Sequence, residues 1–293
     1  MFSSPDDVAA QLGAVGYLAD TATATTVFLA AALERPVLVE GPAGVGKTEL
    51  AKAVAQASGA ELIRLQCYEG LDEARALYEW NYRKQLLRIQ ASAADAGADG
   101  VSWERTHEDI FTEEFLLTRP LLSAIRRDGP TVLLIDEADK TDIEVEALLL
   151  EVLSDFQVTI PELGTVAATR RPFVVVTSNA TRELSEALKR RCLYLHIGYP
   201  TPRRERDIVL ARVPGIAAQL AEQLVRTAAA LRELELKKAP SVAESIDWAR
   251  TLIALGADDL DDVMTARTLG VVLKHVSDHE RAVKELGLPA LPD

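Results

Sequence analysis

The chain has 293 residues, enough to bury a full core as one large or two modest domains, and 48% hydrophobic with 26% charged residues predicts a soluble globular protein. A net charge of −13 and a sequence pI of about 4.9 argue against non-specific binding to nucleic acid or anionic membrane, both of which favour basic patches. No apolar run approaches the ~18 residues of a membrane span, the acidic start MFSSPDDVAAQLGAVG lacks the bases of a secretory signal, and Cys67 and Cys192, far apart, fit reduced core thiols of a cytoplasmic protein.

Ser4-Pro5-Asp6-Asp7 is a helix start, with an N-cap serine, proline at the first position and acids in the first turn. This helix runs to about Leu12. Asp20 caps a second, Thr21 to Glu34, which Arg35-Pro36 ends. Val37-Leu38-Val39 is a short buried strand, and Thr48 to Ser58 is a helix stopped by Gly59. Between them lie Gly41, Pro42, Ala43, Gly44, Val45, Gly46, Lys47 and Thr48, followed by Glu49. This is G-x-x-x-x-G-K-[ST], a loop that turns backbone N–H groups and a helix N-terminus toward phosphate. The glycines let the backbone approach. Lys47 would reach the β- and γ-phosphates and the Thr48 hydroxyl would hold Mg²⁺.

Leu62 to Leu65 is a second strand. The segment from Glu69 to Glu114 begins with a helical pattern, LDEARALYEWNYRKQLLRIQASAADA. Gly97 and Gly100 then mark a loop, and Glu104 to Asp109 is polar and unpatterned. On a helix, Tyr78, Trp80 and Tyr82 do not share a face, so they serve either a client-facing loop or packing of the insert. Pro120 leads a helix to Arg127. TVLLI (Thr131 to Ile135) is a third buried strand, followed by a helix from Ile143 to Leu153. Val158 to Ala168 is a hairpin turning at Glu162-Leu163-Gly164, and FVVVT (Phe173 to Thr177) is a fourth strand. A helix over Glu183 to Arg190 and a strand over Leu193 to Ile197 complete an α/β pattern. After Pro200 and Pro202 only helices remain: Arg203–Val213, Ile216–Leu234, Val242–Leu255 and Leu260–Leu286. The expected division is residues 1–200, a mainly parallel α/β nucleotide-binding domain, and 201–293, a smaller all-α lid.

Asp136 at the tip of a buried strand suits Mg²⁺ bound through its waters, and Glu137 could orient and deprotonate an attacking water. Asn179, ending FVVVT, can position that water and sense the γ-phosphate. Lys189-Arg190-Arg191 either favours a helix C-terminus or presents an arginine to a neighbouring subunit's γ-phosphate. His275 and His279 are spaced for a metal, but no third ligand is at a convincing spacing, so a solvated face is expected. The run Asp258, Asp259, Asp261, Asp262 caps the last helix.

GPAGVGKT, LLIDEADK, VVVTSNATRELSEALKRRC and the trailing helices resemble an AAA+ ATPase. The insert at 69–114 and EVLSDFQVTIPELGTV resemble the MoxR family within that class. QCYEGLDEARALYEWNY is similar to the branch found with molybdenum-containing carbon monoxide dehydrogenase. The resemblance implies a P-loop NTPase αβα sandwich with a five-stranded parallel sheet in order 5-1-4-3-2, a hexameric ring with ATP and Mg²⁺ between subunits, and hydrolysis of ATP to ADP and phosphate. It implies a remodelling chaperone for a metalloenzyme client, acting with a von Willebrand A-domain protein. It places Walker A at Gly41 to Thr48, Walker B at Asp136 and Glu137, sensor 1 at Asn179, an arginine finger at Arg191 with Arg190 as second choice, and adenine packing at Tyr17 and Leu18. The sensor 2 arginine is missing from Pro240-Ser241-Val242-Ala243-Glu244, with Arg250 as a distant substitute. The absence of N-K-x-D favours ATP over GTP. The competing reading, a nucleotide-switched subunit of a nucleic-acid machine, would need a basic face drawn from Arg170, Arg171, Arg203, Arg204 and Arg206.

Overall fold

The computed structural model describes residues 1–95 and 109–289; Gly97, Gly100 and the stretch from Glu104 to Glu108 lie outside these. Helices α1 (Pro5–Ala14) and α2 (Thr21–Leu33) start at Ser4 and Asp20, whose side chains cap them as expected. Five strands form one parallel sheet: β1 (Val37–Glu40), β2 (Glu61–Gln66), β5 (Thr131–Asp136), β8 (Phe173–Ser178) and β9 (Leu193–His196), in spatial order β2-β5-β8-β1-β9. Counted by these strands alone, that is the anticipated 5-1-4-3-2. The inner strands are covered on both faces, which is why they appear as unbroken apolar runs.

Alternation along each strand divides the core in two. Val132 and Leu134 join Val37, Val39 and Val175 under α1, α2 and α3 (Lys47–Ser58). Leu133 and Ile135 join Leu38, Val174 and Val176 on the other face, packed by α6 (Pro120–Arg126) and α7 (Ile143–Asp155). The hairpin is β6 (Gln157–Ile160) with β7 (Gly164–Ala167), and the short helix α8 (Glu186–Arg191) precedes β9.

The insert departs from the helical expectation. A one-turn helix, α4 (Glu73–Ala76), is followed by β3 (Tyr78–Trp80), which pairs antiparallel with β4 (Leu116–Thr118); only then does α5 (Tyr82–Asp95) begin. On a strand, residues two apart share a face. Trp80 is buried, edge-on to Phe111 at 5.1 Å and to Tyr78 at 6.4 Å, while Tyr82 is exposed. Two of the three aromatics therefore serve packing.

The C-terminal region is helical: α9 (Pro202–Arg212), α10 (Ala218–Glu233), α11 (Val242–Ala254), α12 (Asp262–Val272) and α13 (Val276–Leu286). They enclose their own core around Trp248, whose indole N–H donates to Thr268 Oγ1 at 2.7 Å. A buried ion pair joins α9 to α10: Arg232 forks onto Glu205 at 2.5 and 2.7 Å, Ser245 of α11 donates to the same carboxylate at 2.7 Å, and Arg232 also lies over the Tyr199 ring. The single helix expected over Leu260–Leu286 is two. The chain turns extended at Leu273, whose side chain is buried, so that Ala282 and Leu288 can return to the same core. Asp261 caps the start of that segment, now the N-terminus of α12, as the acidic run predicted. Asp278 accepts the N–H groups of Lys237 and Lys238, and His279 pairs with Leu273 O. Among the described residues no cluster of His, Cys, Asp and Glu could hold a metal, and no helix is long and apolar enough to cross a membrane.

Candidate functional site

The C-terminal ends of β1, β5, β8 and β9 open onto one cavity of about 500 Å³, the place where open α/β sheets bind ligands. The glycine loop follows β1. Gly41 has φ +154, and a Cβ there would sit 1.9 Å from Ile197 O; Gly44 has φ +73, and its Cβ would sit 2.3 Å from Ser241 Oγ. A side chain at Gly41 would strike the backbone, and one at Gly44 would be strained and crowd the Ser241 side chain. α3 then begins at Lys47, so the loop presents a helix N-terminus to the cavity.

Lys47 is buried and donates to Gly41 O (2.7 Å), Pro42 O (2.7 Å) and Asn179 Oδ1 (2.8 Å). Burial lowers its pKa; the charges of Asp139, Asp136 and Glu137 partly oppose this. Asp136, also buried, accepts the hydroxyls of Thr177 (2.6 Å to Oδ1) and Thr48 (2.9 Å to Oδ1, 3.2 Å to Oδ2), while Arg64 of β2 donates to its Oδ2 from Nε (3.0 Å) and Nη2 (2.6 Å). Glu137 sits in the left-handed region at φ 59, a strained conformation for a non-glycine residue and one that collects at functional sites. Its N–H donates to Thr177 Oγ1 at 2.9 Å. Its carboxylate is held at Oε2 by Gln66 (2.9 Å) and Lys140 (2.7 Å) and at Oε1 by the Asn179 amide (3.3 Å). Asp139 braces the loop beneath, accepting from Asn179 N, Thr181 N and Thr181 Oγ1.

Thr48, Asp136, Glu137 and Asn179 thus meet Lys47 in one cavity, which Ala43 to Glu49, Tyr17 and Leu18 also line. Gly41 and Pro42 contribute through their carbonyls. The Tyr17 phenol pKa is raised by burial, with Asp20 and Glu49 adding to it. Arg190 and Arg191 are not among the lining residues. Arg191 donates to Ser154 Oγ (2.6 Å) and Ala187 O (3.2 Å), and Arg35 ties the Arg190 carbonyl at 2.7 Å. Arg250 is exposed on Asp247 (3.1 Å), outside the cavity. The arginines that do line the cavity from the helical region are Arg204, bonded to Leu18 O (2.9 Å), and Arg212, bonded to Glu49 (3.1 Å). α11 meets the glycine loop directly: Ala243 N–H donates to Gly44 O at 3.1 Å. Burial pushes the thiols of Cys67 and Cys192 up to about 12.

Sequence reasoning missed Arg64, Gln66 and Thr177. The first two carried a signal: long polar side chains two apart on a strand otherwise flanked by Leu62, Ile63 and Leu65. Thr177 carried none.

A five-stranded parallel sheet in this order, with a glycine loop entering a helix at Lys47-Thr48 and an acidic pair ending the third strand, defines a P-loop nucleotide hydrolase. Residues 37–199, more than half of the chain, match the model of the ATPase family associated with various cellular activities (AAA). The chain belongs to that family and is an ATPase. Its resemblance to the denitrification regulatory protein NirQ of Pseudomonas aeruginosa is 25% identity over 232 residues, covering 76% of this chain and 78% of NirQ. The chaperone protein ClpB 2 of Parasynechococcus marenigrum is 36% identical over 150 residues, which is 50% of this chain and 14% of the chaperone. Among solved structures, a Thermotoga maritima RuvB mutant aligns with 98% of this chain and 72% of that one, at 15% identity and a TM-score of 0.48.

Proposed function

We propose that this ATPase is a remodeller of the MoxR type, a ring (a hexamer by resemblance) that works in the cytoplasm on a protein client. The client fits a metalloenzyme under maturation, molybdenum-containing by the likeness of the insert, served together with a von Willebrand A-domain protein. The observation that carries the reading is the bond from Ala243 N–H to Gly44 O, because it ties the helical region to the loop that grips phosphate. A change at the nucleotide must then move the lid. In this reading residues 1–200 bind nucleotide and 201–293 act as the lid.

Lys47 and the backbone from Gly41 to Thr48 hold the triphosphate, Glu49 borders it, and Tyr17 and Leu18 pack the adenine. The oxygen set of the Thr48 hydroxyl and the buried Asp136 carboxylate, 2.9 Å apart at the cavity floor, suits a hard cation. Magnesium held there would neutralise phosphate charge. Glu137 orients a water and takes its proton as the oxygen attacks the γ-phosphorus, and the bond to the β–γ bridging oxygen breaks to leave ADP. Asn179, already joining Lys47 to Glu137, holds that water in line. Arg191 points away from its own cavity, which supports a role at a neighbour's γ-phosphate; Arg190 is the second choice. The basic residues a nucleic-acid face would need are partly engaged within the molecule: Arg171 with Glu34, Arg204 with Asp20 and Arg206 with Asp207. That, with a charge of −13, supports a protein client.

Glu137→Gln should bind ATP and stall. Tagged, loaded with ATP and passed through native extract, it should retain a metalloenzyme or an A-domain protein that Lys47→Ala does not. Retention of nuclease subunits or DNA would overturn the reading.

A further inference from the structure

The two oxygens of Asp136 are held differently. Oδ1 takes the Thr177 and Thr48 hydroxyls at 2.6 and 2.9 Å; Oδ2 takes the Arg64 fork at 3.0 and 2.6 Å, with Thr48 a longer 3.2 Å away. Arg64 reaches Asp136 from the neighbouring strand, two residues before Gln66, the register partner of Asp136. Its Nη2 also donates to Gln66 Oε1, and the Gln66 amide goes on to Glu137 Oε2 at 2.9 Å. A hydroxyl has one donor and two acceptor positions. Thr48 can therefore keep its bond to Asp136 while offering a lone pair to a cation. A hydrated magnesium also brings water protons that need carboxylate lone pairs, and the oxygen left for them is the one Arg64 covers.

The exposures make the exchange asymmetric. The Asp136 side chain is 3% exposed and the Arg64 side chain 48%. A buried carboxylate stripped of its partner is costly, whereas a half-exposed guanidinium can swing into water at small expense. We infer that Arg64 is the resident counter-ion of Asp136, displaced from Oδ2 when the divalent cation enters with nucleotide. The inference rests on the assignment of Thr48 and Asp136 as the cation's holders. Arg64 is then a positioning residue that acts through Asp136. Between turnovers it keeps the carboxylate aimed, and by competing for it sets how much free cation the ATPase requires. Because Arg64 also holds Gln66, its departure loosens one of the three side chains that restrain Glu137.

The test is Mn²⁺ binding, followed by electron paramagnetic resonance, to the full chain saturated with a non-hydrolysable ATP analogue. Arg64→Gln keeps a polar side chain and removes the competing charge, so it should bind Mn²⁺ about fivefold more tightly than wild type. Arg64→Lys keeps the charge without the fork and should fall between them. Analogue binding in EDTA should stay within about twofold in both variants. Mn²⁺ binding in Arg64→Gln that is unchanged or weaker, in protein with wild-type circular dichroism, would overturn the inference. If Arg64→Gln does not fold, Arg64→Lys decides by the same criterion, wild-type or weaker affinity counting against. Thr48→Val and Asp136→Asn separate the two levels: if both still bind Mn²⁺ like wild type, the cation assignment itself fails; if both lose it and Arg64→Gln gains nothing, only the role of Arg64 fails.

Discussion

Lys47 is already desolvated by the protein. Its three protons go to Gly41 O, Pro42 O and Asn179 Oδ1, so the loop is held in shape from within; in the proposed function phosphate would replace these acceptors. Lys47→Ala removes the charge and leaves those acceptors without a donor. ATP affinity should fall by at least about a hundredfold; isothermal titration that finds wild-type affinity would remove the loop assignment. Asp139 makes a different prediction. Burial on its own would raise its pKa, but bonds from Thr181 and Asn179 outweigh that and hold it below the ordinary carboxylate value. The unfolded chain therefore takes up this proton at a higher pH than the folded one. The stabilisation is complete above the ordinary aspartate pKa of about 3.9 and is lost as pH falls through the lower folded value. Asp139→Asn should lower the Tm at pH 7 and flatten the decline of stability below about pH 4. An acid limb that matches wild type would show that Asp139 carries none of it.

At the scale of elements, the contact between the glycine loop and α11 can be tested in both directions. Gly44→Ala places a methyl 2.3 Å from Ser241 Oγ and 2.5 Å from its Cβ at φ +73. Nucleotide binding should weaken as α11 is pushed off. Adding Ser241→Gly removes both atoms, and glycine at an N-cap costs only a few tenths of a kcal/mol, so part of the affinity should return in the double variant. No recovery would mean that the loss comes from loop backbone strain alone. The same scale shows what could be read from the sequence. β1, β5 and β8 were legible because strands buried on both faces are written as continuous apolar runs. β3 was not, because three residues are too few to show a period and they sit inside a helical pattern from Leu71 to Ala96. The break between α12 and α13 was hidden for another reason: no glycine or proline marks it, and what turns the chain is the burial of Leu273. In the site, the glycine loop, Asp136, Glu137 and Asn179 stand at strand ends where a polar residue is conspicuous. Arg64 lies within β2 and Gln66 ends it on an edge strand, and only their pairing across to β5 gives them meaning.

For the whole molecule, the placement of Arg191 on Ser154, outside its own cavity, leads to a complementation experiment. Arg191→Ala subunits should bind ATP and Lys47→Ala subunits should not; each alone should fail to hydrolyse it. Mixed before assembly, they form some interfaces that pair an intact cavity with an intact arginine. ATPase activity should reappear, rising and falling with the ratio of the two. No activity at any ratio, with mixed assembly shown by light scattering, would place the arginine's action within one chain. The fixing of α11 has a mechanical consequence as well. Its first turn is both tethered at Gly44 and keyed to α9 and α10 through Ser245, Glu205 and Arg232. Thirteen residues make a rod about 20 Å long, so a tilt of about 10° at the tether sweeps its far end by about 3.5 Å. In the proposed function the loop would be the fulcrum of a lever arm, and a sub-ångström adjustment around phosphate would be geared up into a stroke at the rim.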